Sequence, residues 1–315
     1  MDLSPRPDDQ TLPAASAGET AHVPPGSIVV GVDGSETAAQ ALVWACDQAD
    51  LEQRPLTLVH VLEPVQVPAS GMYATTAIDY GLLLDQVREG GAALLAAAEA
   101  TAHERAPGVV VHRVMSSADP RGVLLGLSRQ AAMVVLGSRG RGPLRSLLLG
   151  SVSVSVSKHA SCPVVVRRPD DPQRPRTGVL VGVDGTARSL PAVEFAFRMA
   201  SFRGRPLIVQ HSYFDATEAL AIQRGLPAPE LADEQALVAE SLAGMAEKFP
   251  EVDVEVRLGR GFADHNLVEA SRDADLVVVG HQVDGPLEDL LYGSVAPIVV
   301  EHALGAVAVV PVSAP

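Results

Sequence analysis

The apolar positions along this chain fall into short Val-rich blocks that alternate with longer Ala- and Leu-rich segments. In the first half, the blocks lie near residues 27–33, 56–62, 109–115, 132–137 and 163–167. Short apolar blocks of this kind are typical of strands buried on both faces, and the longer segments are typical of helices. The order predicts an α/β fold, a doubly wound parallel sheet with right-handed crossovers and helices on both faces.

The second half of the chain repeats this pattern. Asp33 and Asp184 both follow a Val-rich block and lie 151 residues apart, as do His60 and His211. The later block AAMVVLGS matches ADLVVVGH at an offset of 143 residues. Two tandem domains explain both offsets. The predicted organisation is a Pro-rich, polar, disordered tail at 1–26, a first domain at 27–168, a linker at 169–177 and a second domain at 178–315.

The segment SVSVSVS at 151–157 fits two structures. Its alternation suits a half-exposed strand, although its valines are also spaced to share one face of a helix. Gly150-Ser151 would cap such a helix, and a crossover is needed here if the next strand, CPVVVRR, is to stay parallel. In the second copy Pro297 lies near the equivalent start, where a helix tolerates it and a central strand does not. We therefore predict a helix.

Charge and composition narrow the possible partners. The chain carries 24 Lys and Arg and 38 Asp and Glu, a net charge of −14, which argues against nucleic acid or an anionic membrane. Residues 27–168 hold 12 charges of each sign, whereas residues 178–315 hold 9 basic and 20 acidic residues. No apolar run approaches a bilayer span or resembles a secretory signal, so we expect a cytoplasmic protein. Cys46 and Cys162 are expected to be buried free thiols.

Residues 137–153 read GSRGRGPLRSLLLGSVS and follow the fourth predicted strand. Ligands of open parallel sheets bind beyond the carboxyl ends of the strands where the winding direction reverses, and Asp33 ends the first strand. Glycine lets backbone N–H groups approach a phosphate closely and permits positive φ, and Gly150-Ser151 at a helix start adds unpaired N–H groups. Three arginines add positive charge: Arg139, Arg141 and Arg145. The residues alone support a structural turn as well as an anion site, because glycine is also the usual turn residue.

The spacing Gly-x2-Gly-x9-Gly-Ser, with VGVDGSETAAQAL before it and KHASCPVVVRRP after it, resembles the nucleotide-binding signature of the universal stress protein family. The resemblance covers nearly all of residues 27–168 and, more loosely, 178–315, as in tandem-domain members of the ATP-binding class. It implies two five-stranded sheets in the order 3-2-1-4-5. It also implies ATP, with or without Mg²⁺, between the first and fourth strands.

The same resemblance, with the arginines added, gives a set of predicted nucleotide-binding residues in the first domain. They are Gly31, Val32 and Asp33 at the adenosine end, Val61 at the adenine, Leu136, Gly137, Arg139, Gly140 and Arg141 along the ribose and phosphates, and Gly150, Ser151 and Val152 at the phosphate oxygens. Asp33 suits ribose hydroxyls or a base amine, and capping of the following helix is an alternative role for it.

The second copy changes the glycine-rich segment. Val283 stands where the first copy has Gly140, and Asp284 stands where it has Arg141. A β-branched side chain opposes positive φ and projects toward the phosphates, and the reversed charge repels them. We therefore predict that the first domain binds ATP well and the second weakly or not at all.

No nucleophile–base pair, carboxylate dyad or metal cluster stands out in the sequence. The leading interpretation is an ATP-binding stress sensor or regulator whose nucleotide state alters its conformation or its partners. A nucleotide-independent dimerisation scaffold and a slow ATPase are the alternatives. The domains are expected to form an internal pseudo-dimer and the chain a homodimer, with the final strands CPVVVRR and GAVAVVPV pairing either within or between chains.

Overall fold

The first domain alternates strands and helices as predicted. A computed structural model describes residues 23–62, 80–140, 149–169, 176–213, 231–282 and 295–312. The first-domain elements are β1 Ile28–Gly31, α1 Glu36–Glu52, β2 Leu56–Val61, α2 Tyr80–Arg105, β3 Val111–Ser116, α3 Pro120–Ser128, β4 Met133–Gly137, α4 Ser151–His159 and β5 Val164–Arg167. The SVSVSVS segment is therefore helical, and each strand falls within a predicted block or overlaps it.

The second domain repeats the arrangement with one difference. Its elements are β6 Gly178–Val183, α5 Leu190–Arg203, β7 Leu207–Tyr213, α6 Ala232–Ser241, α7 Met245–Lys248, β8 Val254–Arg260, α8 Ala263–Ala270, β9 Ala274–Gln282, α9 Val295–His302 and β10 Ala306–Val312. The single long helix α2 of the first copy corresponds to two shorter helices, α6 and α7, in the second.

All ten of these strands form one sheet in the order β3-β2-β1-β4-β5-β10-β9-β6-β7-β8. Within each copy the neighbouring strands are parallel and the order is 3-2-1-4-5, which confirms the predicted fold. Strands β5 and β10 pair antiparallel, with Arg167 opposite Ala306 and Val165 opposite Ala308. The final strands therefore pair with each other within one chain.

Apolar side chains cover both faces of the sheet. On β1, Ile28 and Val30 belong to the cluster beneath α1 and α5, whereas Val29 belongs to the cluster on the opposite face, as the two-residue period of a strand requires. All three are fully buried. Val23 is 3% exposed and packs in the same cluster as Val29, so ordered packing begins upstream of the predicted first domain.

Two arginines join the domains across the β5–β10 seam. Arg168, directly after β5, donates through Nη1 to Val300 O at 2.9 Å and to Glu301 O, in the last turn of α9. On the opposite face, the Arg203 guanidinium lies 4.7 Å from the centre of the Trp44 ring. Burial lowers the pKa of both arginines. The seam is therefore held by polar contacts as well as by strand pairing.

The two cysteines are buried free thiols, as expected. Burial raises the pKa of Cys46 to about 11 and that of Cys162 to about 12, from an ordinary value of 9.0. The unfolded chain releases these protons at lower pH than the folded chain, so the stability linked to them is complete below pH 9.0 and declines as pH rises toward 11.

Alkaline pH should therefore destabilise the protein through these thiols. Between pH 8 and pH 10, the free energy of unfolding of the native protein should fall by about 2–3 kcal/mol more than that of a Cys46→Ala, Cys162→Ala double variant. Urea denaturation of both proteins at both pH values measures the difference. If the free energy of unfolding falls equally in the two proteins, the thiols do not remain protonated in the folded chain.

No helix in the described part of the chain is both long enough and apolar enough to cross a membrane.

Candidate functional site

The turn after β1 is formed by Asp33, Gly34 and Ser35. Gly34 has a φ of +77°, in the left-handed region that side chains with a Cβ rarely adopt. Asp33 Oδ1 accepts a hydrogen bond from the Ser35 N–H at 2.9 Å. Ser35 Oγ in turn accepts from the Ala38 N–H at 3.2 Å and caps α1. Ser35 is therefore the N-cap of α1, and Asp33 instead stabilises the turn before it.

The glycine loop, residues 137–140 at the carboxyl end of β4, is tied to the first turns of both α1 and α4. Three consecutive carbonyl oxygens of the loop accept hydrogen bonds from these two helices. The bonds run from Ser153 Oγ to Gly137 O at 2.7 Å, from the Gly150 N–H to Ser138 O at 2.8 Å, and from Ser35 Oγ at 3.1 Å and Thr37 Oγ1 to Arg139 O. The loop is therefore fixed in place between two helix N-termini.

Glycine is required in this loop because of close approach. A Cβ on Gly137 would lie 2.7 Å from the backbone of Thr37 and Ala38. A Cβ on Gly140 would lie 2.6 Å from Asp33 Oδ2. Neither glycine has a positive φ, so the expectation of left-handed backbone in the loop was wrong. The missing side chains matter for space and not for backbone conformation.

The N-terminus of α4 faces the same region. Gly150 is its N-cap, with φ −77° and ψ 149°, and supplies no side-chain cap. The Val154 N–H donates to Gly150 O at 3.0 Å, so the N–H groups of the first helical residues, beginning at Ser151, precede the hydrogen-bonded ladder of the helix. These groups and the positive end of the helix dipole form an environment suited to an anion.

These elements enclose a cavity of about 760 Å³ at the carboxyl ends of β1 and β4, where the winding direction of the sheet reverses. Eleven of the twelve predicted residues line it: Gly31, Val32, Asp33, Val61, Leu136, Gly137, Arg139, Gly140, Gly150, Ser151 and Val152. Arg141, the twelfth, lies outside the described residues, as do Arg145, Val283 and Asp284.

Several lining residues were not predicted from the sequence. They are Ser35, Glu36, Thr37 and Ala38 on the first turn of α1, Val59 on β2, Pro120 and Leu124 on α3, and Leu149, Ser153 and Pro169. The hydroxyls of Ser35 and Thr37 follow Asp33-Gly34 directly in the sequence, so their nearness to the site could have been inferred. Leu124 could not, because its position depends on how α3 packs on the sheet.

The charges at the cavity are mixed. The ionisable side chains that line it, among those the structure describes, are Asp33, Glu36 and Arg139. Arg139 also lies close enough to Arg168 to help lower the pKa of Arg168, after the larger effect of burial. The two carboxylates suit hydroxyl or amine donors, whereas Arg139 and the α4 N-terminus suit anions. In the described ranges, no group of three or more His, Cys, Asp or Glu residues could hold a metal ion.

The matched histidines support the strand ends that border the site. His60 Nδ1 donates to Val32 O at 2.7 Å, and His211 Nδ1 donates to Val183 O at 3.0 Å. Each bond joins the second strand of a copy to the end of its first strand. In the second copy, His211 Nε2 also lies 2.9 Å from Glu234 Oε2 on α6.

The corresponding turn of the second domain is arranged differently. Asp184 Oδ1 accepts from the Thr186 N–H and Thr186 Oγ1, both at 2.8 Å, and from Ser189 Oγ at 2.6 Å. A Cβ on Gly185 would lie only 1.6 Å from Leu237 Cδ2, so α6 packs directly on this turn. The Asp184 oxygen is thus used by the turn itself, and a side chain covers the glycine. By contrast, Asp33 lines an open cavity.

Two doubly wound domains in one continuous sheet, with a glycine-lined cavity at the switch point of the first, define the class of protein. Comparison with known families identifies it: the chain belongs to the universal stress protein family, whose model matches residues 26–168 and 176–311. This confirms the family and its tandem form, which were predicted from the sequence.

Relatives match over almost the whole chain. It is 36% identical over 290 residues to a universal stress protein of Mycolicibacterium smegmatis, covering 90% of this chain and 96% of the relative. It is 35% identical over 286 residues to universal stress protein Rv2623 of Mycobacterium tuberculosis, covering 88% and 93%. The crystal structure of a universal stress protein from Archaeoglobus fulgidus DSM 4304 has a TM-score of 0.64 and 19% identity, covering 90% of this chain and 98% of that one. That structural likeness concerns the fold alone.

Proposed function

We propose that the first domain binds an adenine nucleotide, with ATP as the preferred ligand, and that the bound nucleotide regulates the protein in a stress response. The observation that carries this proposal is the cavity between β1 and β4, which combines an apolar wall, the Asp33 carboxylate and a helix N-terminus. These three surfaces match the base, the ribose and the phosphates of a nucleotide, respectively. The volume, about 760 Å³, falls within the range of small-molecule sites.

The apolar wall is suited to a flat heterocyclic base. Val32, Val59 and Val61 line it from the first two strands, and Leu124 and Leu136 line it from α3 and β4. Burying a base against these side chains would supply the hydrophobic part of the binding free energy. Asp33 lies between this wall and the glycine loop, where a carboxylate can accept hydrogen bonds from ribose hydroxyls.

The phosphates would lie against backbone rather than against a cluster of basic side chains. A side chain at Gly140 would press on Asp33, and the N–H groups at Ser151 and Val152 begin α4. Arg139 supplies a positive charge at the loop. A Mg²⁺ ion, if one accompanies the nucleotide, would be held chiefly by phosphate oxygens and water.

We also propose that the second domain binds nucleotide weakly or not at all. Asp184 is engaged by Thr186 and Ser189, and Leu237 packs on Gly185. A nucleotide there would first have to displace α6 from the turn. The acidic excess of residues 178–315, 20 acidic against 9 basic, also opposes a triphosphate.

Nucleotide binding by the purified protein tests the proposal directly. The melting temperature should rise on addition of ATP and ADP, rise less with AMP and cyclic AMP, and remain unchanged with tripolyphosphate alone, because the apolar wall binds the base. Chromatography of the supernatant after denaturation should detect any nucleotide carried through purification. A protein that contains no nucleotide and whose melting temperature none of these compounds raises would contradict the proposal.

A homodimer would have to use surfaces other than the final strands. Because β5 and β10 pair with each other, the two ends of the sheet are β3 and β8. We propose that the internal pairing of the two domains takes the place of strand pairing between chains. The scaffold alternative would gain support if sedimentation found a stable dimer whose dissociation constant did not change with ATP.

A further inference from the structure

A second cavity of about 200 Å³ lies at the seam between the domains, and the nucleotide proposal does not use it. One wall comes from α4 of the first domain and the other from α9 of the second, with Val309 of β10 also lining it. Leu149 lines both this cavity and the larger one. Both domains therefore build the seam cavity.

Six of the ten residues that line the seam cavity are apolar, and one of the polar ones is Ser157. Val154 of α4, Val300 of α9 and Val309 are three of its apolar residues. Two oppositely charged side chains also line it, Lys158 from the last turn of α4 and Glu301 from the last turn of α9. His281, at the end of β9, is a third titratable group there.

Lys158 and Glu301 form no ion pair with each other or with any other side chain among the residues that the structure describes. Other charged pairs in the chain do meet: Lys248, for example, contacts Glu194 at 2.5 Å. The charge of Glu301 partly offsets the lowering of the Arg168 pKa by burial, while the Arg168 guanidinium donates to backbone carbonyls of α9. Lys158 is exposed and Glu301 is half-buried, so a cation and an anion line one small cavity without pairing with each other.

We propose that the seam cavity binds a small zwitterion with an apolar body, of the class of aliphatic α-amino acids. The ligand carboxylate would pair with Lys158 and its ammonium group with Glu301, while the aliphatic side chain lies against the valines. Charge-assisted hydrogen bonds at both ends would orient the ligand, and burial of the side chain would favour larger aliphatic residues over glycine. The two domains would thus be bridged by the ligand at a place where strand pairing already joins them.

Calorimetric titration of the full-length protein with L-leucine tests the proposal. L-leucine should bind, whereas hexanoate and hexylamine, which each lack one charged group, should bind at least about tenfold more weakly, the change expected for one lost charge-assisted contact. Glycine, which keeps both charged groups but lacks the aliphatic side chain, should also bind at least about tenfold more weakly. Lys158→Gln and Glu301→Gln should each weaken L-leucine binding by about tenfold or more. Lys248→Gln and Glu269→Gln, at exposed ion pairs away from the cavity, should change it less than about twofold.

Three results would overturn the assignment. The first is no heat of binding with L-leucine at millimolar concentration. The second is hexanoate or hexylamine binding as tightly as L-leucine, which would leave a simple anion or cation site. The third is unchanged L-leucine affinity in both Lys158→Gln and Glu301→Gln. The experiment needs no nucleotide, so its outcome is independent of whether the first domain binds ATP.

Discussion

Replacement of Gly140 by valine should weaken ATP binding by the first domain about tenfold to a hundredfold and leave the fold intact. The added Cβ would lie 2.6 Å from Asp33 Oδ2, and that carboxylate is the free end of a side chain. The carboxylate can rotate away, so the fold adjusts, but the group proposed to meet the ribose is displaced. Overpacking would then raise the free energy of the ATP-bound state by about 1–3 kcal/mol, which corresponds to the predicted loss of affinity.

The control for this experiment is Gly126→Val on the exposed side of α3, where a Cβ meets no atom within 4 Å. Isothermal titration with ATP should give near-native affinity for the control and the predicted loss for Gly140→Val. Both variants should keep a native circular dichroism spectrum. Native ATP affinity in Gly140→Val would mean that the nucleotide, if bound, does not lie against this loop.

Replacement of Gly137 by alanine should destabilise the fold, and by more than Gly140→Val does. Its Cβ would lie 2.7 Å from backbone atoms of Thr37 and Ala38, which cannot rotate aside as a carboxylate can. Either β4 or the start of α1 must shift, and overpacking of this kind costs about 1–3 kcal/mol. Because the loop and α1 both line the cavity, ATP affinity should fall as well.

Urea denaturation of Gly137→Ala measures the first effect. Gly126→Ala is the matched control: it adds the same methyl group within a helix, where alanine is favoured over glycine, so its stability should be unchanged or slightly higher. If Gly137→Ala unfolds at the native urea midpoint, the close contact between β4 and α1 does not hold in solution.

The arrangement within each domain could be predicted because it depends on local patterns. The Val-rich blocks identify the strands, and the need for a crossover before CPVVVRR decides that 151–157 is a helix. The pairing of β5 with β10 could not be decided in the same way. Each is apolar and lies at the edge of its own domain's five strands, and such an edge offers the same hydrogen bonds to its own chain as to another copy.

The lining residues that belong to the sequence motif could be predicted. Those that reach the cavity only through the packing of helices on the sheet could not. Asp33, Gly140 and Ser151 line the cavity as expected, because the carboxyl ends of β1 and β4 are neighbours. Of the two reasons predicted for the glycines, positive φ was wrong for Gly137 and Gly140, whereas close approach does exclude side chains there, although the neighbours are Asp33 and the start of α1. Coverage of Gly185 by Leu237 was not predictable, because it arises from residues 52 positions apart in the chain.

Equilibrium dialysis with ATP counts the nucleotide sites of a chain whose two copies share one fold and differ at the site. It should find one tightly bound ATP per chain, lost in Gly140→Val and retained when Asp184 is replaced by alanine. Two sites of equal affinity per chain, or a single site that Asp184→Ala removes and Gly140→Val preserves, would contradict this expectation.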